Sequence, residues 1–365
     1  MTNETLLPNN IPANDVKRIL IVRLSAIGDC VHCLPSFAAL RSAFPDAEID
    51  WLIDDRAADL FRGLPGLTRL HVLPVRKWKS EGIRGLSLLL AMRRFGKDLR
   101  RFNYDVAIDF QGLTKSAWLA KLSGAPRRIG YDDQDGREIS RWLNNERVAP
   151  PDAAVHVIDR NNALLTALGI QRVPSQFPLP DFSDEDDSAP VKTLFSVNGI
   201  ESSVRPLMLY AGETWESKTS SIDWLAALAD SLSSTFDRPV IIGWGGATDL
   251  KRTEAIQKRM TSSAILAPQT NLRQYAALVS RCGLFVGPDT GPMHIAAALN
   301  VPTVGIFGST DELRNGPYGD RHTTVTADVV CRPCWKRRCP LKTGRLVCLE
   351  RIQIDAVLAA CRRIL

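Results

Sequence analysis

Short apolar runs alternate along this chain with longer segments in which apolar positions recur every three or four residues. An apolar run of this kind predicts a buried strand, whereas the longer period predicts an amphipathic helix. In the first half the pattern predicts strands at 18–24, 49–53, 69–73 and 104–110, and helices at 34–42 and 86–102. Because parallel neighbours need crossover connections, this alternation predicts an α/β fold with a parallel sheet covered on both faces.

The alternation restarts after an acidic, proline-bounded segment at 178–190, which we interpret as a linker or a surface excursion. The second half predicts strands at 206–211, 239–244, 283–287 and 303–307, and helices at 222–233, 248–260, 272–280 and 292–299. A chain of 365 residues suits two domains. We therefore predict one domain at 1–185, a second of the same architecture at 190–350, and a closing helix at 351–365 that could pack on either.

The composition is that of a soluble globular protein, with 45% hydrophobic and 24% charged residues. The sequence has no apolar run long enough to span a bilayer and no signal-peptide pattern at its start, so we expect a cytoplasmic protein. The net charge of +6 includes several arginine pairs and favours an acidic partner. Nucleic acid, anionic lipid and a phosphorylated sugar all fit that charge.

The most specific local pattern is an apolar strand that breaks at Gly287 and reaches a helix through Asp289, Thr290 and Gly291. Free N–H groups at a helix start favour a phosphate, so Thr290 and Gly291 are candidate diphosphate contacts. Asp289 is interpreted as a helix cap or as an acceptor of hydrogen bonds from sugar hydroxyls. His294, one turn into the helix, either reaches a phosphate or packs in the core.

Two further glycine turns follow predicted strands of the second half. After Gly212, Lys218 offers a cation that could neutralise a leaving phosphate, although a lone loop lysine is usually only solvated. After the second turn, Asp249 either binds ribose hydroxyls or caps the helix that begins near residue 250.

In the first half, Asp29 lies where a strand and a glycine turn meet the next helix, with Ser25 and Gly28 beside it. A carboxylate at that position is either an N-cap or a general base, and the two roles are compatible because one oxygen can cap while the other faces substrate. Cationic side chains near other predicted strand ends indicate an anionic acceptor; they include Arg76, Lys79, Lys115, Arg137 and Arg141. Gln111, in the glycine turn before Lys115, is a further candidate acceptor contact.

Four of the eight cysteines are concentrated near the end of the chain, at Cys331, Cys334, Cys339 and Cys348. Four thiolates suit a tetrahedral zinc site, but the spacing is not the common pair of pairs. Structural zinc and reduced thiols therefore both remain open, and neither alternative is catalytic.

Three motifs taken together resemble a known family: 24–35 around Gly28 and Asp29, Gly212-x-x-Trp215-x-x-Lys218, and 287–294 around Asp289. Over about residues 17–350 the chain resembles the ADP-heptose:lipopolysaccharide heptosyltransferases of glycosyltransferase family 9. The resemblance implies a GT-B fold, in which two Rossmann-like doubly wound domains face each other across a cleft. It also implies an inverting reaction that needs no metal.

The same resemblance implies a role for each motif residue. Asp29 would be the base and Lys218 would stabilise departing ADP, while Asp249 would hold the ribose and Asp289 would contact the heptose. The remaining donor contacts would be Ser25, Gly28, Gly212, Thr214, Thr290, Gly291 and His294.

The residues at 75–79, 109–116 and 137–141 look most like the heptosyltransferase I branch, whose acceptor is the Kdo region of the lipid A core. Two features depart from that branch. Thr219-Ser220-Ser221 stands where many relatives have Trp-Pro, and the cysteine segment is closer to other branches, including heptosyltransferase II.

We therefore expect a monomeric enzyme that transfers heptose from ADP-heptose to the Kdo or heptose of the inner core of lipopolysaccharide, at or near the inner face of the cytoplasmic membrane. The alternatives are a GT-B enzyme that uses another nucleotide sugar, and a non-catalytic protein that binds a nucleotide sugar or nucleic acid.

Overall fold

The computed structural model describes residues 16–132, 136, 138–212 and 215–365. The chain divides into two compact units, Met1–Pro180 (unit 1) and Asp181–Leu365 (unit 2). The predicted Arg137 and Thr214 lie outside the described residues.

Unit 1 contains a six-stranded parallel sheet with the order β3-β2-β1-β4-β5-β6. Its strands are β1 Arg18–Val22, β2 Glu48–Asp54, β3 Arg69–Leu73, β4 Val106–Asp109, β5 Arg127–Tyr131 and β6 Glu146–Val148. Its helices are α1 Ile27–Val31, α2 Leu34–Ala43, α3 Ala58–Phe61, α4 Val75–Ser80, α5 Gly85–Asp98, α6 Thr114–Leu122, α7 Ser140–Leu143 and α8 Val157–Leu164, with 3-10 turns at Leu99–Phe102 and Leu165–Leu168.

Unit 2 repeats this plan in the order β12-β11-β10-β7-β8-β9. Its strands are β7 Leu207–Tyr210, β8 Val240–Gly243, β9 Ile265–Leu266, β10 Leu284–Pro288, β11 Thr303–Phe307 and β12 His322–Thr326. Its helices are α9 Glu185–Val197, α10 Ile222–Phe236, α11 Ala247–Gln257, α12 Leu272–Ser280, α13 Gly291–Ala298, α14 Glu312–Asn315, α15 Val347–Glu350 and α16 Ile354–Ile364, with a 3-10 turn at Glu216–Lys218.

Both sheets have the Rossmann strand order, in which the first and fourth strands of a unit are neighbours and their connections leave in opposite directions. These switch points lie between β1 and β4 in unit 1, and between β7 and β10 in unit 2. The central strands read as continuous apolar runs because helices cover both faces; Ile19 and Val286, for example, are fully buried. Loops at the carboxyl ends of the switch-point strands are therefore the expected ligand positions in each unit.

The acidic segment at 178–190 was interpreted above as a linker or a surface excursion, but its second half is helical. Helix α9 begins at Glu185, and the Asp184 side chain caps it by accepting a hydrogen bond from the backbone N–H of Asp187. Acidic residues in its first turn complement the positive end of the helix dipole. The C-terminal helix α16 packs on unit 2, against α10, β11 and β12. None of the helices among the described residues is both long and apolar enough to cross a bilayer.

Candidate functional site

The switch point of unit 2 brings a lysine, an aspartate and a histidine together. Lys218 Nζ lies 2.7 Å from Asp289 Oδ2 and also donates to the Asp289 backbone oxygen at 3.0 Å. His294 Nε2 lies 3.3 Å from the other oxygen, Asp289 Oδ1. Although 71 residues separate Lys218 from Asp289, the pairing of β7 with β10 makes their loops neighbours.

This cluster is almost withdrawn from solvent, since the side chains of Lys218 and Asp289 are only 12% and 5% exposed. Burial alone would raise the pKa of Asp289, but the hydrogen bond with His294 and the positive charge of Lys218 outweigh it and hold that pKa well below its usual range. Asp289 is therefore a carboxylate at neutral pH. The interpretation of Asp289 as a helix cap is wrong, because Thr290 is the N-cap of α13.

The start of α13 has the features of an anion site. The Thr290 side chain does not cap the helix; its hydroxyl donates instead to the Pro288 oxygen at 3.3 Å. Pro292 stands in the first turn, where no backbone donor is needed. The N–H groups of this turn and the helix dipole therefore favour a negatively charged group beside Thr290 and Gly291.

Tyr210, at the end of β7, shapes this region and was not singled out by the sequence analysis. A Cβ atom built on Gly212 would lie 2.4 Å from Tyr210 Oη, and one on Gly245 would lie 2.8 Å from the same oxygen. Only glycine therefore fits at these two positions without a shift of the tyrosine ring. The sequence does carry a signal for this role: Tyr210 lies near the end of a predicted strand, and glycines follow both that strand and the next one.

Two open pockets adjoin this region. One is lined by Gly212, Lys218 and Pro288, and the other by Trp224 and Arg252. Thr219 and Ser220 line both, so the two pockets share a wall. The Lys218 ammonium also lies 4.5 Å from the centre of the Trp215 ring, which fixes its direction.

Asp249 stands in the first turn of α11, whose N-cap is Gly246. Its Oδ2 accepts a hydrogen bond from the Gly245 backbone N–H at 3.1 Å. The carboxylate therefore stabilises the glycine turn before α11 and is not the N-cap of that helix. Its position after β8 still suits a ribose contact.

In unit 1 the switch point holds Asp29, the third residue of α1. Its Oδ2 accepts from the backbone N–H of Ala26 at 3.1 Å, and its Oδ1 lies 2.9 Å from the buried guanidinium of Arg23. The sequence analysis expected one oxygen to cap the helix and the other to face substrate. The second oxygen instead pairs with Arg23, while the side chain keeps 41% exposure, so it remains accessible.

Arg23 is the clearest residue that sequence reasoning missed in unit 1. Besides Asp29, its guanidinium donates to the Phe110 backbone oxygen, which ties the end of β1 to the end of β4. Gln111, a predicted acceptor contact, makes a second tie, because its Oε1 accepts from the Leu24 N–H at 2.9 Å. The buried Asp109 carboxylate accepts from the backbone of Gln111 and Gly112 and shapes that turn.

The predicted cationic residues of unit 1 that the structure describes lie on three different helices, α4, α6 and α7. Lys115, at the start of α6, has its pKa lowered by burial and by the charge of nearby Arg56, a second cation that sequence reasoning missed. Arg76 and Lys79 lie exposed on α4, after β3. Arg141 lies on α7, with its guanidinium 5.2 Å from the centre of the Trp142 ring.

Ser25 and Gly28, which were predicted as donor contacts, both belong to unit 1. Ser25 is partly buried in the loop between β1 and α1, and Gly28 is buried in the first turn of α1. Both therefore accompany Asp29, whereas the other described donor candidates belong to unit 2.

The four C-terminal cysteines are free thiols. Burial, and then the neighbouring Cys331, Cys334 and Cys339, raise the pKa of Cys348, so the four lie in one region. Within the described parts of the chain, however, no group of three or more histidine, cysteine or acidic side chains is arranged to hold a metal ion. The zinc alternative therefore finds no support in the arrangement of these thiols.

Comparisons with known proteins agree with this geometry. A family model described as Glycosyltransferase family 9 (heptosyltransferase) matches residues 92–344. The chain is 28% identical to lipopolysaccharide heptosyltransferase 1 of Pseudomonas aeruginosa over 333 residues, which cover 88% of this chain and 87% of that protein.

Two solved structures share the fold. A glycosyl transferase family 9 protein from Veillonella parvula aligns with a TM-score of 0.81 at 21% identity, over 95% of this chain and 97% of that one. The E. coli heptosyltransferase WaaC with ADP aligns with a TM-score of 0.72 at 22% identity, over 95% and 100%. With the two parallel sheets, these likenesses confirm the predicted α/β, GT-B fold class.

The family match extends over more than half of the chain and overturns the alternative of a non-catalytic binding protein. The chain is a glycosyltransferase and belongs to glycosyltransferase family 9, the heptosyltransferase family.

Proposed function

We propose that this enzyme transfers a heptose from ADP-heptose to a sugar hydroxyl of the lipopolysaccharide inner core, Kdo or heptose, with inversion at the anomeric carbon. The observation that carries the proposal is the buried Lys218–Asp289–His294 cluster beside the start of α13. The names of two relatives support the choice of ligands: the P. aeruginosa protein is a lipopolysaccharide heptosyltransferase, and the E. coli structure contains ADP.

Unit 2 would hold the donor. The backbone N–H groups at Thr290 and Gly291 suit the diphosphate, and Gly212, just after β7, lines the pocket that also contains Lys218. Asp249 would accept hydrogen bonds from the ribose, and Asp289 from the heptose hydroxyls. Thr214, the remaining candidate of this loop, is proposed on its motif alone.

Unit 1 would supply the base. Asp29 is a partly exposed carboxylate held from two sides, by the Ala26 N–H and by Arg23. A positioned carboxylate of this kind can take the proton of the acceptor hydroxyl as that oxygen bonds to the anomeric carbon. Ser25 and Gly28 accompany it, and Gln111, Lys115, Arg76, Lys79, Arg137 and Arg141 would contact the anionic acceptor.

The leaving group needs a positive charge when the bond between the anomeric carbon and the diphosphate oxygen breaks. Lys218 provides it, because its ammonium lies beside the proposed diphosphate position while Asp289 fixes its direction. The negative charge that develops on ADP would then be shared between Lys218 and the N–H groups of α13. In this scheme the charge balances without a metal ion, so we propose that the transfer requires none.

Two measurements test the proposal. Mass spectrometry of a reaction with ADP-heptose and Kdo-bearing lipid A should show addition of one heptose, and calorimetry should show that ADP binds at least about tenfold more tightly than UDP or GDP, a difference of about 1.4 kcal/mol. Transfer from a uridine or guanosine diphosphate sugar, with weak ADP binding, would establish the alternative of a family 9 enzyme with another donor.

A further inference from the structure

Helix α5 exposes leucines that its own packing does not require. The side of the helix that faces the core of unit 1 consists of Leu88, Met92 and Phe95, and is continued by Leu99. Gly96 brings α5 so close to α6 that an added Cβ would lie 2.7 Å from the Leu122 Cβ. The opposite side carries Leu86, Leu89 and Leu90, which are 73%, 52% and 55% exposed.

Basic residues surround these leucines. Arg93 and Arg94, one turn further along α5, are both exposed. Residues 75–102 contain nine lysines and arginines and two acidic residues, a net charge of +7, whereas the whole chain carries +6. The rest of the chain is therefore close to neutral, and the positive charge of this protein is concentrated around α5. We call Leu86, Leu89, Leu90, Arg93 and Arg94 the α5 face.

The α5 face borders an open cavity that contains a proposed acceptor contact. Leu89 lines this cavity together with Lys115 and Glu138. Directly after Glu138 follow two more exposed apolar side chains, Ile139 at 55% and Trp142 at 71%. Tryptophan is enriched at the boundary between bilayer and water, where its ring lies among the headgroups.

We infer that the α5 face docks this enzyme on an anionic phospholipid bilayer, with its leucines among the upper acyl chains and its arginines on lipid phosphates. A soluble polyanion would match the arginines but leave the leucines in water. A second copy of the same face would place like charge against like charge. The inference rests on the proposed function in one respect: a membrane-borne acceptor would then meet the cavity at Lys115 directly from the bilayer.

Flotation with vesicles tests the docking in the absence of donor and acceptor. The enzyme should float with vesicles of phosphatidylcholine containing 30% phosphatidylglycerol and remain unbound with phosphatidylcholine alone. Because each arginine near such a surface contributes about a fivefold factor, Arg93→Gln with Arg94→Gln should weaken binding roughly 30-fold. Leu86→Ser with Leu90→Ser should weaken it roughly tenfold or more, since less apolar surface is buried.

Matched control variants carry two Arg→Gln or two apolar-to-Ser substitutions in unit 2. Arg362→Gln with Arg363→Gln, and Val197→Ser with Leu313→Ser, alter exposed positions on that unit and should leave vesicle binding unchanged. Circular dichroism establishes that all four variants are folded. Equal loss of binding in the control and α5 variants would overturn the inference.

Two other results would also overturn it. One is failure of the unaltered enzyme to bind the anionic vesicles. The other is a dimer in light scattering that Leu86→Ser with Leu90→Ser dissociates, because the face would then join two copies. Activity on an acceptor without acyl chains separates this inference from the proposed function: the α5 variants should retain that activity and lose it only on acceptor embedded in vesicles.

Discussion

The buried pair of Lys218 and Asp289 gives the sharpest prediction for unit 2. Lys218→Met removes the ammonium 2.7 Å from Asp289 Oδ2 and leaves a carboxylate whose side chain is only 5% exposed. Breaking one side of a buried ion pair typically costs about 3–5 kcal/mol, because the remaining buried charge loses its counter-charge. We expect the free energy of unfolding to fall by about that amount at pH 7, measured by urea unfolding followed by circular dichroism.

A double-mutant cycle separates the interaction energy of the ion pair from the other effects of each substitution. Lys218→Met combined with Asp289→Asn removes both charges, so the double variant should lose less stability than Lys218→Met alone. The exposed pair of Lys192 and Glu185 is the matched control, with side chains 61% and 74% exposed. Lys192→Met should therefore cost less than about 1 kcal/mol. Strictly additive losses in the cycle, or equal costs at Lys218 and Lys192, would show that the buried ion pair does not stabilise the fold.

The pH dependence of the same variant has a definite sign. Burial would raise the pKa of Asp289, but His294 and Lys218 lower it below its ordinary value, so its ionisation stabilises the folded chain above about pH 4. That contribution is lost as the pH falls further and the carboxylate becomes protonated. The deficit of Lys218→Met should therefore be largest near neutral pH and shrink below about pH 4. A deficit that grows as the pH falls would contradict the assignment of charge.

Two further predictions concern residues that support the candidate sites. Arg23→Met removes the guanidinium that lies 2.9 Å from Asp29 Oδ1 and positions it, so kcat should fall by roughly 10- to 100-fold. The ADP affinity measured by calorimetry should stay unchanged. The kcat of Arg23→Lys should lie between those of Arg23→Met and the unaltered enzyme. Gly212→Ala places a Cβ 2.4 Å from Tyr210 Oη and should lower stability by about 1–3 kcal/mol. The control Gly246→Ala has no heavy atom within 4 Å of its Cβ, so in the same urea experiment it should cost only the exchange of a glycine N-cap of α11 for alanine, up to about 1 kcal/mol.

The order and type of the principal strands and helices could be predicted from the sequence, because buried parallel strands and amphipathic helices have distinct periods. The bounds differ by a few residues: the strand predicted at 18–24 is Arg18–Val22, and the helix predicted at 86–102 ends at Asp98 and continues as a 3-10 turn. The start of α9 was misread because acidic residues and Pro190 are typical of linkers. In this chain the acidic residues instead form the first turn of a helix.

Individual site residues were easier to predict than their partners. Asp29, Lys218 and Asp289 lie in the segments with glycines that follow apolar strands, a local signal that a sequence displays directly. The ion pair between Lys218 and Asp289 depends on which strands are neighbours, and that order emerges only from the fold. Arg23 could not be predicted, because a single arginine after an apolar strand is not distinctive in a sequence. Its contact with Asp29 depends on the conformation of the turn between them.

The division of labour between the two units is tested most directly by Asp29→Asn. We expect kcat to fall roughly 100-fold or more, the scale of a positioned base, while the Kd for ADP measured by calorimetry on the same preparation stays within about twofold. Nearly unchanged turnover would remove Asp29 from the reaction. An ADP affinity that falls together with kcat would contradict the placing of the base in unit 1 and the donor in unit 2.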